Sequence, residues 1–314
     1  MNWMKKEPLV SIIIPTYNEE KDIARALDSV LALDYQNKEI VVIDSNSADN
    51  TSYILNGYQK YPNVKLIFEE ERRSVSSARN KGILSSKGEI LIILNADVLL
   101  PGDFIKKILP HYLDGAGFVL CESVVLNQDG IYGRWTQAKQ IVLYSSNDNI
   151  VWSEGFSCLR ELAVKADLFP EELRSNTAGE DAIFGENLLK YGKRVIDRKI
   201  AVSHYVPTEY RTIFKQRLGR GRGTIFIHVY INKIGLYKTF AYLLKKSFLH
   251  IFYCSVILPF FINAVKLVKH SKKKALDFPP FLFLEYFDST VQLIGEWDAF
   301  FEIKSRGNNF KKIE

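Results

Sequence analysis

The sequence predicts an α/β protein: an open, mostly parallel sheet flanked by helices, followed by a helical C-terminal region. Two observations predict the sheet. From residue 9 to about residue 127, short β-branched runs alternate with helical patterns, as parallel strands joined by crossover helices do. The runs are apolar almost throughout, which suits a sheet covered on both faces. A third observation sets the end of the chain apart: beyond about residue 235, aromatic and aliphatic runs bounded by lysines replace the alternation. The expected division is 1–235, in two halves meeting near residue 127, and 236–314.

The strand runs, in order, are "LVSIIIP", "EIVVID", "VKLIFE", "EILIIL" and "GFVLCESVVL". Between the first two, "NEEKDIARALDSVLAL" sets Ile23, Leu27, Val30 and Leu31 on one stripe of a helix, with Asn18 as its expected cap and Glu19 and Glu20 in its first turn. A second helix is expected after Asn50, carrying Ile54, Leu55 and Tyr58, and "SVSSARNKGILSS" fills the next crossover. From about 128 to 235 the pattern is less regular. Helices are expected near Leu159–Ala166 and Asp181–Tyr191, with a basic, glycine-bearing segment "KQRLGRGRG" behind them.

A chain of 314 residues, 47% hydrophobic, is long enough for one large domain or a domain with an appendage. Cys121, Cys158 and Cys254 show no CxxC spacing, so neither a zinc site nor a disulfide framework is indicated, and a reducing compartment fits. The start "MNWMKKEPLV" has no apolar segment of the secretory type, so the globular part is expected in the cytoplasm. The net charge of +6 is concentrated late, in "KKSF", "KLVKHSKKK" and "FKKIE", around apolar runs. That placement favours an anionic membrane surface over a nucleic-acid groove, because the aromatics lie in apolar runs and not on an exposed platform. Residues 247–265 contain no formally charged side chain and approach the roughly 20 residues that cross a bilayer. His250, Pro259 and Asn263 stand against a clean span, so a membrane-embedded or interfacial helix is expected. "FPPFLFLEYF", broken by Glu285 and followed by Asp288, suits a membrane-surface or packing helix.

Four polar clusters fall where apolar runs stop, and in an open parallel sheet such positions converge on one crevice. In "PTYNEE", Pro15, Tyr17 and Glu19 could hold a nucleobase, or form a turn and a helix start. In "DSNSADNT", Asp44 could accept hydrogen bonds from a base or ribose, or close the loop into the next helix. In "NADVLLPGDF", Asp97 offers one hard oxygen ligand to a divalent cation bridging a diphosphate, whose other ligands come from phosphate and water. In "TAGEDAIFGENLLKYGKRV", Glu180 and Asp181 begin a helix with Ile183, Leu188 and Leu189 on its apolar face, an acidic start that the helix dipole alone would also explain.

Taken in order, "VSIIIPTYNEEKDIARALDSVL", "EIVVIDSNSADNT", "SSARNKGI", "GEILIILNADVLLP" and "AGEDAIFGENLLKYGKRV" resemble the family 2 glycosyltransferases, inverting enzymes with the Rossmann-like GT-A fold, over about residues 9 to 222. The resemblance implies transfer of a sugar from a UDP-, GDP- or dTDP-linked donor to a lipid-linked or surface-glycan acceptor at the inner face of a membrane. It places Pro15, Tyr17, Glu19, Asp44 and Arg79 around the nucleotide, and Asn95, Ala96 and Asp97 at the DxD position beside ribose and metal-bound diphosphate. It implies Mg2+ or Mn2+ on Asp97, with His204 as a further candidate, Asp181 as general base, and Glu180 orienting the loop. "SEGFSCLRELAVKADLFPEE" resembles the acceptor side of the cleft, with Arg160 at the basic position. "SHYVPTEYRTIFKQRLGRGRG" looks like a shortened QxxRW region, in which His204, Gln216, Arg217, Arg220 and Arg222 would face phosphate and the glycines would allow close approach. Its missing Trp argues against a polymerising synthase. Two departures matter: Ser45 follows Asp44 where a second aspartate is frequent, and Asn95 replaces the first acid of DxD. The alternative they raise is a catalytically silent homologue that holds a nucleotide sugar and scaffolds a membrane assembly. The retention of Asp97 and Asp181 counts against it.

Overall fold

The structure, a computed structural model, describes residues 7–146, 154–171 and 178–306. They form two compact units, one drawing on residues 7–126, 154–171 and 180–205, the other on 127–146, 178–179 and 206–306. In chain order the first unit contains β1 (Val10–Thr16), α1 (Ile23–Leu31), β2 (Lys38–Asp44), α2 (Thr51–Asn56), β3 (Val64–Phe68), α3 (Val75–Ser85), β4 (Ile90–Ile93), β5 (Val98–Leu99), α4 (Phe104–Leu113) and β6 (Phe118–Val125). The second unit then supplies α5 (Ile131–Ser146). The chain returns to the first unit for β7 (Phe156–Leu159), α6 (Arg160–Lys165), α7 (Glu180–Leu189) and β8 (Arg194–His204). It ends in the second with α8 (Tyr210–Phe226), α9 (Leu236–Val256), α10 (Leu258–Val268) and α11 (Phe278–Arg306).

The eight strands form one sheet in the order β3-β2-β1-β4-β7-β6-β8-β5. β1 pairs in parallel with β2 and β4, β2 with β3, and β6 with β8. All five strands expected from the sequence are present. The antiparallel pairings, which make the sheet mixed, all involve β5 or β7. These strands and β8 escape sequence patterning because β5 has two residues, β7 has four, and β8 intersperses Arg194, Asp197, Arg198 and Lys199 among its apolar residues. Ile12, Ile13, Ile14, Val41, Val42 and Ile92 have no exposed surface, as a sheet covered on both faces requires.

Helix α1 begins four residues later than the sequence suggests, with Asp22 at its N-cap. Asn18 takes a left-handed φ of 57° in the turn after β1. Its Oδ1 accepts from the Ala48 amide at 2.8 Å, and its own amide donates to Ser47 Oγ at 2.9 Å. Asn18 therefore ties the first loop to the second and does not cap the helix. Glu19 N–H to Thr51 Oγ1 (2.8 Å) and Asn50 N–H to Glu20 (3.0 Å) extend the same lacing.

The second unit is helical. Trp135, Ala138, Ala264, Leu267 and Phe281 make a buried cluster. Arg134 donates two hydrogen bonds, 2.7 and 2.8 Å, to Asp277. The basic segment expected to be irregular lies inside α8, and its glycines serve packing: a Cβ on Gly221 would sit 1.9 Å from the Gln292 carbonyl oxygen of α11, and one on Gly223 1.8 Å from that of Ala178. These glycines thus admit neighbouring backbone, where the sequence suggested room for a phosphate. "FPPFLFLEYF" opens α11 as a packing helix: Glu285 accepts from Trp135 Nε1 at 3.0 Å, and Asp288 is buried. Residues 247–265 form parts of two helices, broken at Ile257 and bent by 74°. Among the described residues no single helix is long and apolar enough to cross a membrane.

Candidate active site

In the first unit, the carboxyl ends of β1 and β4, the loop after β3 and the start of α3 surround a cleft of about 340 Å³. Pro15, Tyr17 and Glu19 line it from the first loop, and Asn95, Ala96 and Asp97 from the fourth. Arg79 lines it from α3, whose N-cap, Ser74, accepts the Ser77 amide on its hydroxyl at 3.2 Å. Seven of the residues expected around a nucleotide therefore share one cavity, because β1 and β4 are adjacent and parallel. Asp44 is outside this lining. It is buried, and its carboxylate accepts from the Ser47 and Ser52 hydroxyls, the latter at 2.6 Å, so it closes its own loop. Ser45, its neighbour, faces the cleft instead.

Two basic residues of the cleft belong to none of the motifs expected from the sequence. Arg72 and Arg73 line it from the loop after β3, and the Arg72 guanidinium lies 4.1 Å from the centre of the Tyr17 ring. Their signal was available, since "EEERRS" also follows an apolar strand.

Arg79 is buried and joins distant motifs. One nitrogen donates to Glu180 Oε1 at 2.8 Å, another to Asn95 Oδ1 at 2.9 Å, and the guanidinium stands 5.0 Å from the Phe169 ring centre. The amide at position 95 therefore has a structural role, because its oxygen is an acceptor for Arg79. Arg79 Nε and Thr16 Oγ1 are buried with no hydrogen-bond partner among the described residues, and both residues line the cleft.

Asp181 follows Glu180 at the start of α7, where its Oδ1 accepts the Ala182 amide at 2.9 Å. Burial raises its carboxyl to about 7; the charges of Glu180 and Glu154 push the same way, and Arg79 opposes them. Asp97 is likewise raised to about 7 by burial, then by Glu154 and Asp22. Glu19 rises to about 8, through burial and then the charges of Asp97, Asp22 and Asp49. Burial lowers the His204 imidazole, with Glu154 pulling the other way. Glu154 thus acts on Asp97, Asp181 and His204 together; it lies in the segment read as the acceptor side of the cleft, of which the sequence singled out only Arg160. Glu154 stands two residues before β7, whose Phe156 pairs in antiparallel register with Ile93 at the end of β4.

His204 ends β8 and pairs in register with Val98, the residue after Asp97. Among the described residues, no group of three or more His, Cys, Asp or Glu could hold a metal alone. The donor set still fits a hard cation that takes its other ligands from phosphate and water: Asp97 offers carboxylate oxygens, Glu19 lines the same cleft, and burial shifts His204 toward the neutral form a ligand imidazole must have.

The remaining candidates have other partners. Arg160, expected on the acceptor side, donates to the Ile83 carbonyl (2.6 Å) and Ser86 Oγ (2.7 Å) and so ties down the C-terminal end of α3. Gln216, Arg217 and Arg220 lie on α8 in the second unit. There Arg217 is buried against Tyr132, to whose hydroxyl it donates at 2.7 Å, and pairs with Asp288, while Gln216 and Arg220 are exposed. Arg222 pairs with Asp298 and Glu302 of α11.

A mixed α/β sheet whose strand ends carry a cleft lined by Glu19, Asp97 and three arginines, with the buried Asp181 beside it, defines a transferase of the GT-A type. The glycosyl transferase family 2 model matches residues 11–165, and the chain carries a domain of that family. It is 28% identical over 256 residues to the dolichyl N-acetyl-alpha-D-glucosaminyl phosphate 3-beta-D-2,3-diacetamido-2,3-dideoxy-beta-D-glucuronosyltransferase of Methanococcus voltae, covering 73% of this chain and 77% of that one. It is 34% identical over 94 residues to the poly-beta-1,6-N-acetyl-D-glucosamine synthase of Staphylococcus epidermidis, covering 30% of this chain and 23% of the synthase. Among solved structures, the mannosyltransferase PcManGT from Pyrobaculum calidifontis, in complex with GDP-Man and Mn2+, matches with a TM-score of 0.57 at 21% identity, over 96% of this chain and 76% of that chain. This last likeness supports the fold.

Proposed function

We propose that the protein is an inverting glycosyltransferase, moving a sugar from a UDP-, GDP- or dTDP-linked donor to a lipid-linked or surface-glycan acceptor. The observation that carries this reading is Asp181: a buried carboxyl, raised to about 7, on a helix whose first acid is held by an arginine that also holds Asn95 of the cleft. A base poised near neutral pH is suited to taking a proton from a hydroxyl.

In this reading the nucleotide lies between the Tyr17–Arg72 wall and the Asn95–Asp97 edge, with Thr16 and Arg79 offering polar atoms that otherwise have no partner. Arg72 and Arg73 face the diphosphate. Mg2+ or Mn2+, held by Asp97 with His204 as a further ligand, would neutralise the departing diphosphate when bound. Asp181 accepts the acceptor's proton as its oxygen attacks the anomeric carbon, and the bond to the nucleoside diphosphate breaks on the opposite face, inverting the centre. Glu180, fixed by Arg79, holds the start of α7 in place. The name of the Methanococcus voltae relative, a glucuronosyltransferase of dolichyl N-acetyl-alpha-D-glucosaminyl phosphate, supports a lipid-linked acceptor.

The test is release of nucleoside diphosphate from a panel of UDP-, GDP- and dTDP-sugars, with and without Mn2+, by the native chain and Asp181→Asn. One donor class turned over only with metal, and not by the variant, is expected. Turnover of no donor, or equal turnover by the two proteins, overturns the reading.

A further inference from the structure

The junction of α9 and α10 presents an apolar surface to solvent. Nine large apolar side chains between Phe248 and Ile262 are exposed, from 38% at Tyr253 to 72% at Phe248. Contiguous exposed apolar surface of this kind marks a binding face more often than chance. The opposite side of the hairpin is already used: Phe260, Ala264 and Leu267 are buried, and His250 bonds to Thr290 and Ser289 of α11. The bend centres on Ile257, whose left-handed φ of 57° is strained for a β-branched residue. It leaves Ile257 and Leu258 prominent, 52% and 58% exposed.

Charge frames this surface. No formally charged side chain occurs from 247 to 265, while exposed Lys245 stands at the open end of one arm, beside Lys246, which pairs with buried Glu296, and Lys266 and Lys269 stand at that of the other. Lys272, Lys273 and Lys274 follow directly. At 1.5 Å per residue, the arms from Lys246 to Ile257 and from Ile257 to Lys266 are about 16 and 13 Å long, so that, splayed equally about a 74° bend, they carry Ile257 about 8–10 Å below the lysines, within the ~15 Å of one hydrocarbon leaflet. The 74° bend prevents the two lengths from adding.

We infer that the α9–α10 hairpin docks into one leaflet of an anionic membrane, its exposed apolar side chains among the acyl chains and its lysines at the headgroup phosphates. A second copy of the chain is the poorer occupant, because it would bring two lysine clusters together, whereas an anionic leaflet neutralises them. The inference goes beyond the transfer reading and does not depend on it.

The experiment is cosedimentation of the full chain with sucrose-loaded vesicles of phosphatidylcholine, with and without 30% phosphatidylglycerol, in the absence of donor. Binding is expected to the anionic vesicles, at least tenfold weaker for Ile251→Glu/Leu258→Glu and for Lys266→Glu/Lys269→Glu. These sites are exposed, and unchanged circular dichroism spectra of the variants confirm the fold. Leu258→Trp should be quenched most by bromines in the upper half of the acyl chain. Equal binding to neutral vesicles by all proteins, loss of binding only in the lysine variant, or strongest quenching from the bilayer centre overturns the inference. So does a dimer in vesicle-free sedimentation that Ile251→Glu/Leu258→Glu dissociates. Because no donor is present, failure here leaves the transfer reading standing, and failure of transfer leaves vesicle binding to be measured.

Discussion

Arg79 and Glu180, 101 residues apart, form a buried ion pair of 2.8 Å, and the same guanidinium donates to Asn95 at 2.9 Å. One side chain of α3 thereby joins the end of β4 to the start of α7.

Removing that arginine leaves an acid unpaired. Arg79→Ala should cost about 3–5 kcal/mol of stability in urea unfolding, the range for breaking a buried pair. Arg79→Lys should recover only part of it, since an ammonium lacks the planar fork that serves both partners. A loss below about 0.5 kcal/mol would show that the pair does not hold the site together.

The pH profile follows from Asp181. A base must be deprotonated, so kcat/KM should rise with pH through about 7. Arg79 lowers the Asp181 carboxyl and Glu154 raises it, so Arg79→Lys, if its ammonium sits further away, moves the midpoint up and Glu154→Gln moves it down. An unmoved midpoint in Glu154→Gln would assign the titration to another group.

Stability without ligands should run the other way. Asp97 and Asp181 rise from 3.8 to about 7, and Glu19 from 4.5 to about 8. Between those values the folded chain binds more protons than the unfolded chain, so stability falls as pH rises from about 4 to about 8. Thermal denaturation should show a lower melting temperature at pH 8 than at pH 6, with a shallower dependence in Asp181→Asn.

At the DxD position, Asp97→Ala should abolish transfer. Asn95→Asp should tighten Mn2+ by no more than about tenfold, ~1.4 kcal/mol, because a carboxylate there would sit against Arg79. Isothermal titration with Mn2+ and donor separates the two. Equal, negligible effects would mean that this strand end binds nothing.

In the helical unit, Gly221→Ala should lower the melting temperature, at an overpacking cost of about 1–3 kcal/mol, since the new methyl would fall on the Gln292 carbonyl. Gly102→Ala, whose Cβ would lie 3.9 Å from its nearest neighbour, should be nearly neutral.

Much of the fold was legible because it depends on local pattern. Five strands, the crossover helices, and the convergence of Pro15, Tyr17, Glu19, Asn95 and Asp97 on one cleft follow from apolar runs that stop at polar clusters. What each polar side chain touches was not legible. Asn18 reads as a helix cap and Asp44 and Arg160 as site residues, yet Asn18 and Asp44 hold loops and Arg160 holds a helix end. The arginines and glycines of α8 read as a phosphate loop, and became a packing seam once α11, some seventy residues on, lay against them. Glu154 stands in the acceptor-side segment without having been singled out, and acquires its place because β7, which follows it, pairs antiparallel with β4. The sequence alone thus determined which elements form and where their polar ends meet, since both depend on periodicity and burial. The tertiary structure decided which of those polar groups remain available for chemistry, since a hydrogen-bond partner is set by distance in space and not by spacing along the chain.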